Sequence, residues 1–555
     1  MKRKNGTLYT IGIMFLVLAL LTWFLPITTY QTDFSEQGYL KVGLMELFAY
    51  PTYTFYNFIY IFIFLLLVGG LYAILKKIKA YRLFVDKVVS IVKEREIFYT
   101  ILTVLLLSIT VSFTGLTFEM LAIMPFIATI VLLSGKDKIT AALLTVGSMT
   151  VGVIGNTFSS NIAGLFVSSL QLDFNDLIIS KIILLILGCV TLIFTILLHN
   201  RKNKDEELDQ EFYFIPEKVE DKEKEKVWPL VTILSIFVFI KVLASISWRD
   251  IFAVSLFADI KEKVDSYPLF SKLVMFIIFG LLIIIMLSKY IINKKKDSNT
   301  TLRNTLGKVG FIVFIISVAI LSLVTIKVFF EDLFKVTTIF TKVYNAIGLN
   351  TVTISNLVGE VSAIGEWSYS EYIVWIMVLC LILTWKYKIK LSDTIDNIGN
   401  GMKNVLYAAI VCMFAYTILV LTSNNPVILS ILKPIINLTK STTIAPVIRI
   451  FLYMFSALVS SFMNSDFSYF NYGVFNLTFA TNNFGNTPTM LSITSLLHQG
   501  AMGLAILIAP TSIPMLFTLN TLNLSYKKWL KKTWLLFAIL LYLVLIISII
   551  DLLLY

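Results

Sequence analysis

Apolar residues run in blocks of membrane-crossing length from Leu8 to Leu554, with polar residues confined to short intervals between them. About 20 such residues span a bilayer as a helix. The pattern predicts spans over residues 8–28, 53–75, 177–198, 228–246, 273–287, 311–326, 373–385, 406–421 and 533–552. Two further apolar stretches carry polar turns in their interior, TGLTFE at 114–119 within 97–134 and MNSDFS at 463–468 within 447–481. Both read as helical hairpins that dip into the membrane and return.

Each hairpin is followed by the same parts: a helix (139–154, then 490–508), a polar break (GNTFSSNIAG at 155–164, IAPTSIPM at 508–515), a short apolar segment and a last full span. Backbone that leaves the helix at membrane depth must line a protein-enclosed or watery site, because lipid offers no hydrogen-bond partner. Two such breaks in corresponding halves point to the substrate site of a secondary transporter. The predicted fold is an all-α polytopic membrane protein with two repeats, roughly residues 40–200 and 340–555. Counting crossings makes the repeats inverted. The domain layout is 1–200 as the first membrane half, 201–227 as a charged cytoplasmic linker, 228–339 as connecting helices and 340–555 as the second half.

Composition agrees with this picture. Of 555 residues, 57% are hydrophobic and 14% charged, beyond what a soluble core holds. The net charge of +12 resides largely in short basic patches beside helix ends, such as Lys2–Lys4, 76–82, 201–204, 294–296 and 527–532. Such patches stay on the cytoplasmic side, which places the N-terminus inside and the protein, multi-pass, in the cell membrane. No small-x-small cleavage site follows the first apolar run, so it reads as a retained helix. No basic stretch interleaved with aromatics suggests a nucleic-acid partner. The three cysteines, Cys189, Cys380 and Cys412, lie in apolar segments without metal-ligand or disulfide spacing and read as packing residues. Residues 199–227 mix both charge signs and read as a solvated connector. Residues 81–94 are amphipathic, with Phe84, Val88, Ile91 and Val92 on one face, and 391–404 take the corresponding place in the second half.

Candidate chemistry lies in the interruptions. Glu119 sits in the first hairpin and Asp466 near the turn of the second. An intramembrane carboxylate costs at least about 2.5 kcal/mol in lipid, so it faces a cavity or a partner; here it would hold a cationic group, a coupling ion or a proton. The competing reading is that each acid caps the half-helix that follows. Asn156, Thr157, Ser159 and Asn161 in one break, and Thr511 and Ser512 in the other, with Ser465 at the second hairpin, are candidate substrate ligands. His498 stands in an apolar helix and is a candidate proton relay or a packing residue. No metal site or cofactor is implied beyond a coupling cation, proton or sodium. HExxH, Walker, GxSxG and dinucleotide motifs are absent, so the chain reads as no enzyme and its energy source as a gradient or exchange.

Several stretches are similar to the C4-dicarboxylate anaerobic carrier-like family, which includes arginine/ornithine antiporter-like members, within the ion transporter superfamily. They are LTWFLP (21–26), GLMELFAYP (43–51), LLLVGGLYAIL (65–75), the first-hairpin pattern of Gly115, Glu119, Ala122 and Pro125, the pattern of Asn156, Phe158, Ile162 and Ala163, and LIAPTSIPMLFTLNTLNLSYKKWLK (507–531). Thr157 stands where the family commonly has Pro, Ala501 and Ala505 where it has an acid and an amide, and His498 where it tends to have Gln. The resemblance implies an elevator-type transporter, a transport domain moving against a scaffold, a homodimer, and a small carboxylate-bearing substrate. The two tip acids favour an amino acid, basic ones included, over a C4-dicarboxylate, whose second negative charge they would repel; a C4-dicarboxylate or a short peptide is the alternative substrate. A passive channel or membrane receptor is the reading from another class.

Overall fold

The structure is a computed structural model that describes residues 6–26, 28–30, 34–36, 41–159, 161–170, 172, 176–202, 212–217, 225–245, 369–425, 427–439, 445–466 and 488–554. The chain divides into a unit of residues 1–242 with 372–555 and a second unit of 243–371, nearly all of which lies outside the described residues. The spans expected over 273–287 and 311–326, and the return arm of the second hairpin, also fall outside them.

Among the described residues, eight helices are long and apolar enough to cross a membrane, which makes this a polytopic membrane protein. Short strands Thr28–Tyr30 and Phe34–Glu36 pair as an antiparallel ribbon, a small departure from an all-helical expectation. Helix α1 covers Gly6–Phe24. Helix α2, Leu44–Lys77, is 34 residues long. Amphipathic α3, Lys79–Glu94, follows it. Helix α4, Glu96–Thr114, begins the first hairpin, a 3-10 turn at Glu119–Ala122 forms its tip, and α5, Met124–Leu133, leads back. Helix α6, Lys138–Ile154, carries a π turn at Leu143–Gly147. After the break come α7, Ala163–Leu170, and α8, Ile178–Lys202. Helices α9, Trp228–Ala244, and α10, Tyr369–Lys386, precede the second half.

That half repeats the order of parts. Helix α11, Leu391–Asn424, has 34 residues like α2. Amphipathic α12, Val427–Thr439, corresponds to α3. Helix α13, Pro446–Met463, stands where the first arm of the second hairpin is expected. Then come α14, Pro488–Ile508, the break, α15, Ile513–Thr521, and α16, Tyr526–Leu554.

The structure corrects four details of the sequence reading. Residues 391–404 are not a separate interfacial helix but the first turns of α11. They stay helical because the small surface of Gly401 packs on Gly69 of α2: a Cβ at Gly69 would lie 2.6 Å from the Gly401 carbonyl oxygen, the close approach that small residues allow between membrane helices. On α3 the buried face is Ala80, Tyr81, Val85, Val89 and Val92, while Ile91 is exposed; the helix is turned relative to the face its pattern suggested. The basic patch 527–532 lies inside α16 rather than ahead of it.

Finally, residues 212–217 of the linker are docked rather than solvated. Phe214 is buried against Tyr72, Lys76 Nζ donates to the Tyr213 carbonyl at 2.9 Å, and Arg82 donates to the Pro216 carbonyl at 2.6 Å. The FYFIP run thus supplies an apolar anchor inside a charged stretch.

Candidate functional site

Both breaks are built by one device. In the first half α4 ends where Gly115 takes φ +70°, a left-handed conformation that favours glycine. A Cβ there would lie 2.9 Å from the Ser159 side chain, so the hairpin turn and the break are pressed together. The end of α4 then satisfies the freed backbone. Ser112 Oγ donates to the Gly155 carbonyl at 2.6 Å, the Thr157 amide donates to the Ser112 carbonyl at 3.0 Å, and Asn156 Nδ2 donates to the Val111 carbonyl at 3.0 Å. Within the break, Ser159 Oγ donates to Asn156 Oδ1 at 2.8 Å and accepts from the Ile162 amide at 3.1 Å, opening α7. Asn156, Thr157 and Ser159 are buried, whereas Asn161 is exposed. The first two polar groups of the predicted ligand set, together with Ser159, hold the break in shape.

In the second half the end of α13 does the same for the other break. Thr511 Oγ1 donates to the Phe462 carbonyl at 2.8 Å, and Ser465 Oγ donates to the Thr511 carbonyl at 2.9 Å. The last carbonyls of α14 are satisfied in turn: Ser512 Oγ donates to Ile506 at 2.8 Å, Trp529 Nε1 to Leu507 at 2.8 Å, and Tyr526 OH to Ile508 at 2.6 Å. Ser512 also caps α15, accepting from the Met515 amide. An unsatisfied carbonyl at a helix end is costly away from water.

The halves are tied to each other at Gln499 of α14. Its Nε2, almost fully buried, donates to the carbonyls of Ile154 at 2.9 Å and Asn156 at 3.0 Å. One step away, His498 is wholly buried, hydrogen bonds Tyr453 OH through Nδ1 at 3.1 Å and lies beside the Phe166 ring. The helix that leads into the second break therefore also closes the first.

The tip acids converge. Asp466 follows Ser465, is buried, and accepts a 2.5 Å hydrogen bond from Tyr416 OH of α11. The half-buried Glu119 lies within electrostatic reach of Lys241 and of Asp466. The N-cap residues of the 3-10 turn and of α5, Phe118 and Ile123, make no side-chain cap, and the Glu119 carboxyl accepts a hydrogen bond from its own backbone amide at the start of the turn. Lys241 of α9 is buried, with Nζ 3.1 Å from the centroid of the Tyr372 ring. No described group of three or more His, Cys, Asp or Glu side chains is arranged to hold a metal ion.

Gln499, Tyr416, Lys241 and Tyr372 were missed in the sequence reading. Lys241 left a signal, a lone cation inside the apolar run IFVFIKVLASI. Gln499 left a weaker one, beside the histidine already singled out.

A comparison with family models matches the description "C4-dicarboxylate anaerobic carrier" over residues 29–358 and 343–553, reaching both hairpins and both breaks. The chain belongs to the C4-dicarboxylate anaerobic carrier family. No curated protein and no solved structure matches it. The family is one of carriers rather than enzymes, which agrees with the transporter reading of the two breaks.

Proposed function

We propose that the protein is a secondary carrier of a small C4-dicarboxylate, with two inverted repeats that expose one site alternately to either side of the membrane. The observation that carries this reading is the family match across both halves. It favours the dicarboxylate over the amino-acid substrate that the tip acids suggested, and nothing in it supports the arginine/ornithine side of the resemblance. The clamps support the proposed mechanism. Each hairpin arm is hydrogen bonded to its own break, so hairpin and broken helix are suited to move as one body, while α2 and α11 form a paired frame through Gly69 and Gly401. Exchange between internal and external substrate, a cytoplasmic N-terminus, coupling to a proton or sodium ion and assembly as a dimer belong to the same proposal.

The test is counterflow in proteoliposomes. Labelled succinate uptake is expected to accelerate when the vesicles are loaded with unlabelled succinate, and arginine, ornithine and neutral amino acids are expected not to compete. Acceleration by arginine or ornithine with succinate inert would restore the amino-acid reading. Uptake of succinate indifferent to the internal load would show a channel. Light scattering of the detergent-solubilised protein checks the dimer.

A further inference from the structure

Each of the two 34-residue helices, α2 and α11, sends a buried tyrosine to the hairpin of its own half. Tyr72 of α2 donates its hydroxyl to the carbonyl of Ala122, the last residue of the 3-10 turn at the first hairpin's tip, at 2.8 Å. Tyr416 of α11 does the same for Asp466, just beyond α13. Both rings are backed by a phenyl ring, but from different sources. Phe58 of α2 stacks on Tyr416 with centroids 4.3 Å apart, so that contact is braced from within the frame. Behind Tyr72 stands Phe214, edge-on at 5.8 Å, and Phe214 belongs to the linker between the halves.

The linker segment is firmly seated there. Phe214 is buried, with the rings of Phe212 and Tyr213 edge-on against it at 5.3 and 5.1 Å. Lys76, in the last turn of α2, and Arg82, in α3, donate to the Tyr213 and Pro216 carbonyls, and the Lys76 ammonium lies 4.6 Å from the centroid of the Tyr213 ring. Hydrogen bonds from ionised donors are about twice as strong as neutral ones. An unbroken line of contacts therefore runs from the linker through Tyr72 to the hairpin tip.

Resting on the reading above, in which each hairpin and its broken helix move as one body against α2 and α11, we propose that Tyr72 is the positioning residue that holds the first hairpin to the frame in one of the two transport conformations, and that the seated run 212–217 sets the strength of that hold. The bond from Tyr72 to Ala122 joins a residue of the frame to a residue of the moving body, so it is made in one conformation and broken in the other. A contact made in one state only shifts the population toward that state by its own free energy. The apparent affinity at each face of the membrane follows the fraction of carriers open to that face. Loss of the contact thus weakens substrate binding on one side and strengthens it on the other, which a residue that merely supports the fold does not do.

The experiment measures half-saturation by succinate from each side, in right-side-out and inside-out membrane vesicles carrying the full-length protein. Tyr72→Phe keeps the ring and removes only the hydroxyl. In it the two half-saturation values are expected to move in opposite senses and their ratio to change about threefold, the average worth of one hydrogen bond between membrane helices. Phe214→Ala is expected to change the ratio in the same sense, and to add nothing in a Tyr72→Phe background, because Tyr72 is its route to the tip. A folded Tyr72→Phe protein with the wild-type ratio overturns the proposal, and a full effect of Phe214→Ala in that background overturns the linker's part in it. Should Tyr72→Phe not fold, Phe214→Ala decides by the same ratio. Wild-type protein that takes up succinate from neither side would instead overturn the dicarboxylate reading, and wild-type uptake indifferent to succinate on the far side would overturn the carrier reading on which the inference rests.

Discussion

Replacing Gln499 with leucine removes the donor that serves two carbonyls at once, those of Ile154 and Asn156, while nearly keeping the side chain's volume. Because Gln499 is 1% exposed, no water takes its place. A hydrogen bond between membrane helices contributes on average about 0.6 and at most about 1.7 kcal/mol, so the loss of two predicts a destabilisation of about 1–3 kcal/mol. Gln499→Glu should be worse, since a carboxylate would set an acceptor against two acceptors. Thermal unfolding in detergent reads the stability, and counterflow reads the site. Both variants are expected to unfold at lower temperature than the wild-type protein, Gln499→Glu the lower, and transport should fall in parallel because the first break loses its tie to α14. A Gln499→Leu protein with wild-type unfolding and wild-type exchange would refute the reasoning, since the tie between the halves would then carry no load.

Gly115→Ala should destabilise by more than the ~1–2 kcal/mol of left-handed strain alone, because the new methyl meets Ser159; Gly135→Ala, at φ +82° in open space, is the matched control, and equal losses in thermal unfolding would remove the steric argument. Asp137, in the turn between α5 and α6, is pushed up by burial but held net below the usual carboxylate range by its hydrogen bond and charge interaction with His199, 2.8 Å away, and by the Thr140 amide and hydroxyl. A depressed carboxylate contributes stability above its unfolded value, so the gap in unfolding temperature between wild type and Asp137→Asn should be full near neutral pH and shrink as pH falls below about 4; a gap that widens in acid contradicts the assignment. Phe214→Ala should weaken docking of residues 212–217 by about 3 kcal/mol and expose the linker to limited proteolysis, and unchanged protection would show that the anchor is elsewhere. Cys412 Sγ lies 3.9 Å from the Ile513 carbonyl, so on the elevator reading oxidising Cys412 with Ile513→Cys, in a background lacking Cys189 and Cys380, should stop counterflow reversibly once mass spectrometry shows the bridge; full exchange by the bridged protein would indicate a fixed frame.

Periodicity and turn chemistry made much of the fold legible. The hairpin turn at Gly115 and the end of α6 at Gly155 stand where polar residues interrupt apolar runs, because a helix at membrane depth has no other reason to stop. Helix α11 was harder to read. Asp393, Asp396 and Lys403 look like the polar face of an interfacial helix, and only the packing of Gly401 on Gly69, a contact between distant segments, keeps the same helix running into the span. The docked 212–217 run was obscured for a similar reason, since charged neighbours outweigh three aromatics whose partner, Tyr72, is far away in sequence. In the site, residue types pointed to the interruptions but not to what holds them. The structure engages Asn156 and Ser159 with Val111 and with each other, work that depends on where the end of α4 lies.

The two clamps bear on how charge and shape divide the labour. In each half, hydroxyls and amides at the break are turned toward backbone of the neighbouring arm, Ser112 and Asn156 in one, Thr511 and Ser465 in the other. Groups so engaged hold geometry and have less capacity left for a solute. The full charges stand apart from that scaffolding, on the tip at Glu119, just past the second arm at Asp466 and on α9 at Lys241. Uncharged hydrogen-bonding groups can fix a break with modest energies each, whereas ions in a dry interior interact strongly enough to respond to an arriving anion. Selectivity would therefore follow from which ionic partners surround the polar breaks rather than from the breaks themselves. The same clamped geometry could then serve solutes of different charge, with changes among the charged groups altering the preference without remaking either break.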